Sequence, residues 1–320
     1  MKAIGGYFEL ADFEEGLFPH TDGLLLNTGR NALEFILRSL GKVKRVLLPL
    51  YDCEVVLEPL NRLGIQWDFY HIDLNLEIYG DIRLLENEYI IVNNYFGIKD
   101  SYINELKGRF GNHLIADCAQ ALFAPQIPGM KSFYSTRKFV GVADGGIAYL
   151  GNDAFYRNSI TETDCSQLHD NHLYIRKRLG AEAGFPVFRE NEMRLNNQAI
   201  RLMSPTTRNI LEHIDYDKVI AKRRDNFAFL HETLGERNLL TLPDSASFSC
   251  PMAYPYLTTD ASLRQRLIDN KVFVATYWPN VKEWASKDTV EYELAERLIP
   301  LPIDQRYTQV EMKEILRIIG

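Results

Sequence analysis

Lys138 closes the tetrapeptide Ser135-Thr136-Arg137-Lys138, Asp144-Gly145-Gly146 follows it, and Asp117 ends an apolar run upstream. A lysine that condenses with a carbonyl must be partly deprotonated, a form that neighbouring cations and partial burial favour. Arg137 is adjacent, and Phe133, Tyr134, Phe139 and Val140 make the surroundings apolar. A carboxylate set against a pyridine nitrogen keeps that nitrogen protonated, so that the ring can draw electrons from a substrate carbon. A lysine and an aspartate in this order are what a pyridoxal phosphate site needs. The glycines after Lys138 are expected to let a cofactor approach the backbone. Each piece alone is weak, because an isolated lysine is by default a surface residue and an acid after an apolar strand equally serves as a helix cap.

The rest of such a site has candidates of its own. Gln120, one turn beyond Asp117, can reach a ring oxygen or lie on a helix surface as an ordinary amide. Phosphate calls for backbone N–H groups at a helix start with a hydroxyl or a cation beside them. Asn27-Thr28-Gly29-Arg30-Asn31-Ala32 offers this immediately before an amphipathic segment, although Thr28 or Asn27 would also serve as a plain N-cap. Ser135 adds a hydroxyl from the lysine loop. Cys165, His169 and His172 could share a helical face at i, i+4 and i+7. The Ser, Gln, Asp and Asn residues between them make an ordinary solvated segment the expected reading, with no metal site.

The elements that must position these groups follow from periodicity and punctuation. Leu33, Ile36, Leu37 and Leu40 form one stripe of a helix over 31–40, and a second helical pattern over 55–63 stops at Gly64. Short apolar runs at 45–50, 67–72, 89–93, 113–117 and 145–150 read as strands, and 102–110 as a helix between two of them. Short strands alternating with helices predict an α/β fold with a largely parallel sheet, whose ligands lie beyond the carboxyl ends of the strands. Asn93, Asn94 and Asp117 fall at that edge. Later in the chain a long helix over 219–234, strand-like segments around 249–256 and 273–277, and a final helix over 309–319 read as a second, smaller unit. The expected division is a large domain over 1–220 and a small C-terminal one over 221–320.

Composition narrows the class of protein. The chain has 320 residues, 46% of them hydrophobic and 25% charged, with a formal net charge of -7. That balance predicts a folded globular protein with no basic face for nucleic acid. No apolar run reaches the length of a membrane span, so a soluble, cytoplasmic protein is expected. The four cysteines, Cys53, Cys118, Cys165 and Cys250, include no C-x-x-C pair and are expected to be reduced thiols.

Taken in order, Thr28-Gly29-Arg30, Asp117-Cys118-Ala119-Gln120, Ser-x-x-Lys ending at Lys138 and Asp144-Gly145-Gly146 resemble the DegT/DnrJ/StrS family of sugar aminotransferases. Arg223-Arg224-Asp225-Asn226-Phe227, Tyr277-Trp278-Pro279 and Leu301-Pro302-Ile303-Asp304-Gln305-Arg306-Tyr307 extend the likeness over most of the chain. The resemblance implies the aspartate aminotransferase fold (fold type I): a three-layer α/β/α cofactor domain with a mostly parallel sheet, and a smaller C-terminal α+β domain. It also implies a homodimer with shared active sites and pyridoxal 5'-phosphate as cofactor. The substrates would be small molecules, a keto-sugar, nucleotide-linked in this reading, and an amino acid donor. Lys138 would be the Schiff-base lysine and the proton shuttle, Asp117 the pyridine partner and Gln120 the ring-oxygen contact. Gly29, Arg30 and Ser135 would hold the phosphate.

The chain departs from the family at several of these places. Thr28-Gly29-Arg30 stands where Ser-Gly-Thr is usual, so a guanidinium replaces a hydroxyl. Pro49-Leu50-Tyr51-Asp52-Cys53 puts Cys53 where an aromatic residue often stacks on the ring, with Tyr51 as a possible substitute. Asp144-Gly145-Gly146 replaces Glu-Gly-Gly, and Phe188-Arg189-Glu190-Asn191 the Asn-Tyr-Arg segment. Relatives with histidine in place of the lysine act as dehydratases, so Lys138 favours amino transfer over elimination. Arg30 and Cys53 motivate a third reading, a noncatalytic relative that binds cofactor or sugar.

Overall fold

The computed structural model describes residues 3–12, 14–151, 160–164 and 170–320. Its centre is a seven-stranded sheet of β2 (Leu24–Leu26), β3 (Arg45–Pro49), β4 (Gln66–Tyr70), β5 (Glu88–Asn93), β6 (Leu114–Cys118), β7 (Lys131–Ser135) and β8 (Gly146–Leu150). In space the order is β2-β8-β7-β6-β5-β3-β4. Strands β3 to β7 run parallel, whereas β8 is antiparallel to β7 and β2 to β8. The parallel strands carry near-continuous apolar runs such as Ile90-Ile91-Val92 because both faces of the sheet are covered.

Helix α1 (Gly29–Ser39) covers one face. Thr28 is its N-cap, Oγ1 accepting the Asn31 N–H at 3.1 Å, and Leu33, Ile36 and Leu37 pack over Val46, Leu48, Ile91 and Ile115. Helix α2 (Leu57–Leu63) ends at Gly64, which adopts the left-handed conformation at φ +64 that a C-terminal glycine allows. Helix α3 (Asp100–Phe110) buries Ile103, Leu106 and Phe110 in the core of the opposite face.

Beyond β8 the described chain continues through α4 (Asn171–Leu179), α5 (Ala181–Arg194), α6 (Pro205–Leu211) and α7 (Tyr216–Leu234). Helix α7 starts three residues earlier than the apolar periodicity predicts, because Asp215 caps it by accepting the Lys218 N–H at 2.9 Å. Then come β9 (Tyr254–Leu257), α8 (Leu263–Asp269), β10 (Val272–Phe273), α9 (Val281–Trp284), α10 (Val290–Arg297), β11 (Leu298–Leu301) and α11 (Gln309–Ile319).

The two strands expected in the C-terminal part are shorter than predicted by more than one residue. The segment at 249–256 enters a strand only at Tyr254, whose partner Leu301 ends β11 just before Pro302, a residue with no N–H to continue the ladder. The segment at 273–277 leaves its strand after Phe273 because β10 pairs with a two-residue strand, β1 (Ile4–Gly5), from the start of the chain. Helix α11 has the predicted bounds, set by a capping box between Thr308 and Glu311. Among the described residues, no helix is long and apolar enough to cross a membrane.

Candidate active site

The carboxyl ends of β3, β5, β6 and β7, together with the start of α1, border a cavity of about 220 Å³. Gly29, Arg30, Cys53, Asp117, Gln120, Ser135 and Lys138 all line it. The parallel register explains how residues far apart in sequence meet there: Asn93 on β5 lies opposite Asp117 on β6, which lies opposite Phe133 on β7. Ser135 ends β7, and Lys138 follows in a single 3-10 turn over Thr136–Lys138.

Asp117 is held by its own strand end, with Oδ1 accepting the Ala119 N–H at 2.7 Å. Burial pushes its carboxyl up to about 6, and the positive charge of Lys138 and the Ala119 bond offset only part of that rise. Gln120 is buried, and its Oε1 accepts the Phe96 N–H at 2.8 Å. That bond fixes the amide and leaves Nε2 without a partner. Asp52 Oδ2, Asn93 Oδ1 and Arg137 Nε are also buried without partners, and all four side chains border this cavity. Stranded donors and acceptors gathered in one small space are costly unless a ligand satisfies them.

The opposite end of the cavity is cationic. Arg30 Nη1 donates to Glu58 Oε2 at 2.9 Å and to Asn196 Oδ1 at 2.7 Å. Arg137 pairs with Glu192. Burial first, and then the positive charges of Arg30 and Arg194, bring Arg137 down to about 10, with Asp144 opposing the shift. Arg137, lowered by burial and by the positive charges of Arg30 and Arg194 near the N-terminus of α1, favours an anion there.

The glycines after Lys138 do a different job from the one expected of them. A Cβ on Gly146 would lie 2.1 Å from the Thr28 carbonyl oxygen, and one on Gly145, whose φ is +128, 2.1 Å from Thr136 Oγ1. Gly145 N–H donates to the Asn27 carbonyl at 2.7 Å. The two glycines thus let β8 press against the cap of α1 and the lysine turn, and it is protein backbone that approaches them. Neither lines the cavity. Asp144, fully buried, anchors the same loop by accepting from Ser204 N–H and Ser204 Oγ, both at 2.8 Å, and from Thr207 Oγ1.

Tyr51 does not stand in for a stacking residue. It is fully buried against Tyr95 and Trp278, outside the cavity lining, while Cys53 lines the cavity and burial raises its thiol. The aromatic residues that do border the cavity are Phe133 on β7 and Trp278, contributed by the C-terminal part of the chain. Sequence reasoning passed over Asp52, Arg137 and Glu192 as lining residues; for Asp52 the signal was present, since it follows the carboxyl end of β3 as Asp117 ends β6. Tyr254 and Tyr256 are core residues, and Arg306 pairs with Asp304 and Glu9. Cys165 and His169 lie outside the described residues. His172 is buried in α4, and no group that could hold a metal ion occurs among the described residues.

A larger cleft of about 780 Å³ opens from the same place and shares Ser135, Arg137, Lys138 and Glu192 with the small cavity. Its walls include Tyr7 and Phe8 from the N-terminal segment, Phe185 and Phe188 from α5, and Phe273 and Tyr277. Lys138 therefore stands where the small cavity meets the wider cleft.

No protein-family model matches the chain, and no curated protein matches its sequence. Solved structures share its fold. One is Helicobacter pylori PseC, an aminotransferase involved in the biosynthesis of pseudoaminic acid, with a TM-score of 0.65 over 99% of this chain and 98% of that one, at 10% identity. Another is S. venezuelae DesV in complex with a ketimine intermediate, with a TM-score of 0.63 over 93% and 83% of the two chains at 15% identity. A third is a DegT DnrJ EryC1 StrS aminotransferase from Brucella abortus, with a TM-score of 0.58 over 93% and 84% at 14% identity. The chain has the fold of these aminotransferases, the α/β arrangement of fold type I, with a mostly parallel sheet between helices. At such identities the likeness speaks for architecture, and chemistry must be argued from the site.

Proposed function

We propose that the protein is a pyridoxal-phosphate-dependent aminotransferase that moves an amino group from an amino acid to a keto-sugar, which in this reading is nucleotide-linked. The observation that carries the reading is the cavity itself. One lysine and two aspartates, Asp52 and Asp117, line it, buried polar atoms of Asp52, Asn93, Gln120 and Arg137 lack partners there, and its arginines lie near a helix start. The residues present fit the cofactor. Arg30, Arg137, Ser135 and the N-terminus of α1 would hold a phosphate, Gln120 Nε2 would donate to a ring oxygen, and Asp117 would take a protonated ring nitrogen. Trp278 and Cys53 would bound the ring.

When bound, pyridoxal phosphate supplies a conjugated ring that spreads the electrons left behind when a substrate carbon loses a proton. The chain's own part is to bind, orient and move protons. Above about pH 6 the Asp117 carboxyl is ionised and able to pair with a cation. Lys138 is the one lysine among the described residues that line the cavity, so its Nζ would hold the cofactor's carbonyl carbon covalently. Once released by an incoming amine, the same Nζ would carry a proton across the active site. The wide cleft on the far side of Lys138 gives a substrate access to that atom.

The decisive experiment is an absorption spectrum of wild type and Lys138→Ala after incubation with pyridoxal phosphate. The expected result is a band at the edge of the visible in wild type, absent from Lys138→Ala and discharged by an amino acid donor as the amine form of the cofactor accumulates. No band in either protein would end the reading. A band that no donor discharges would leave a cofactor-binding protein without transaminase activity, and new nitrogen in the sugar product separates amino transfer from dehydration.

A further inference from the structure

Asp52 is a second buried acid in the cavity, and none of the roles above uses it. It follows Tyr51 just past the carboxyl end of β3 and is 2% exposed. Its backbone is fixed from the C-terminal part of the chain, since Asn280 Nδ2 donates to the Asp52 carbonyl at 2.8 Å. Its Oδ1 accepts the Cys53 N–H at 2.7 Å, while Oδ2 has no donor in hydrogen-bond geometry, although the Asn93 side chain faces the acid closely enough to lower its pKa. Asn93 Oδ1, which borders the same cavity, has no donor either. A buried acceptor without a donor is costly, and one proton on Asp52 Oδ2 turns it into a donor.

Charge balance leads to the same place. The groups that face Asp52 are Asp117 from β6, Lys138 from the turn after β7, the Cys53 thiol beside it, and the phenols of Tyr70 and Tyr95. Burial holds both phenols well above their usual range and raises the thiol, so these three stay neutral. With Arg30 and Arg137 paired to Glu58 and Glu192, Lys138 is the cation that acts on these two carboxyl groups. Two carboxylates sharing one site cannot both ionise cheaply. Burial, with the Asp117 charge added, lifts Asp52 well above the ordinary carboxylate range, and the Cys53 N–H, Asn93 and Lys138 recover only part of it.

We propose that Asp52 and Asp117 form a proton-sharing pair at the floor of the cavity, in which Asp52 keeps a proton so that Asp117 is the acid that ionises and meets the cofactor's ring nitrogen. Asp52 is then a positioning residue that acts through Asp117. It gives a hydrogen-bond donor to the cavity while adding no second negative charge. The link to a ring nitrogen rests on the pyridoxal phosphate reading; the proton-sharing pair does not.

The test uses the cofactor-free protein with 13C-labelled aspartate carboxyls, titrated by NMR, with Asp52→Asn and Asp117→Asn to assign the two signals. The expected wild-type result is that the Asp117 carbon titrates near pH 6 while Asp52 still shows the H2O–D2O isotope shift of a protonated carboxyl at pH 8. In Asp117→Asn the Asp52 titration should move to lower pH, because the opposing negative charge is gone. An Asp52 carboxylate already ionised at pH 6, or one whose titration ignores Asp117→Asn, overturns the proposal, and an acid that merely braces the Cys53 turn would behave in that way. Should Asp117→Asn not fold, the isotope shift in wild type alone still decides. A spectral titration of pyridoxal phosphate bound to wild type and Asp52→Asn forms a separate arm. Failure to bind the cofactor would sink the functional reading and leave the acid pair standing.

Discussion

Replacing Asp117 by Asn should make the cofactor-free protein more stable at neutral pH, although it removes a residue placed at the centre of the site. Burial raises the folded-state carboxyl from 3.8 to about 6, so the native state prefers the protonated acid. For a group shifted upward, the stabilising contribution is complete below about 3.8 and is lost as pH rises through about 6. A rise of that size corresponds to about 3 kcal/mol at roughly 1.4 kcal/mol per pKa unit, and wild type gives this up on going from pH 4 to pH 8. Asn stays neutral throughout and its Oδ1 can still accept the Ala119 N–H that Asp117 accepts at 2.7 Å. The assay is denaturant unfolding of both proteins, stripped of cofactor, at intervals between pH 4 and pH 8. Titrating groups that do not feel Asp117 cancel in the difference between the two, and the shift of Asp52 in the variant is read separately from its labelled carboxyl. That difference should be near zero at pH 4 and grow to about 3 kcal/mol in favour of the variant by pH 8. A gap independent of pH, or a variant that loses ground as pH rises, would refute the claim that Asp117 is held in an environment that resists its charge. Such an acid is costly in the empty protein and suited to a cationic partner, a common exchange of stability for function at active sites.

Two further predictions concern the scaffold around Lys138. Gly146→Ala would drive a Cβ against the Thr28 carbonyl and should cost roughly 1–3 kcal/mol while loosening the start of α1; thermal unfolding together with phosphate or cofactor affinity would show both effects. Asp144→Ala would strand the Ser204 N–H, Ser204 Oγ and Thr207 Oγ1 in the interior, and should cost about 2–4 kcal/mol with unfolding as the readout, whether or not the protein has ever met a cofactor.

Much of this protein was legible from local chemistry. The stripe Leu33, Ile36 and Leu37, the glycine stop at Gly64 and the capping residues Thr308 and Glu311 act within a turn or two of themselves, so helices α1, α2 and α11 can be read directly. The short apolar runs before Asn93 and Asp117 announce parallel strands, and a parallel sheet gathers what lies at their carboxyl ends on one edge, whereas β7, which ends at Ser135, is not read as a strand from its sequence. Lys138, Asp117, Gln120, Gly29, Arg30 and Ser135 can be nominated from these local patterns, and Cys53 from the resemblance to the DegT/DnrJ/StrS family. Tertiary structure alone decided what lies between them. That Asp52 keeps an oxygen without a donor depends on the burial of a turn held from Asn280, 228 residues away. That Trp278 and not Tyr51 reaches the cavity depends on how the C-terminal part of the chain docks. That Gly145 and Gly146 serve backbone contact depends on β8 lying against the cap of α1. Burial, long-range contact and the electrostatics of a shared cavity are properties of pairs of segments, and a sequence read one segment at a time contains the residues for them without the distances.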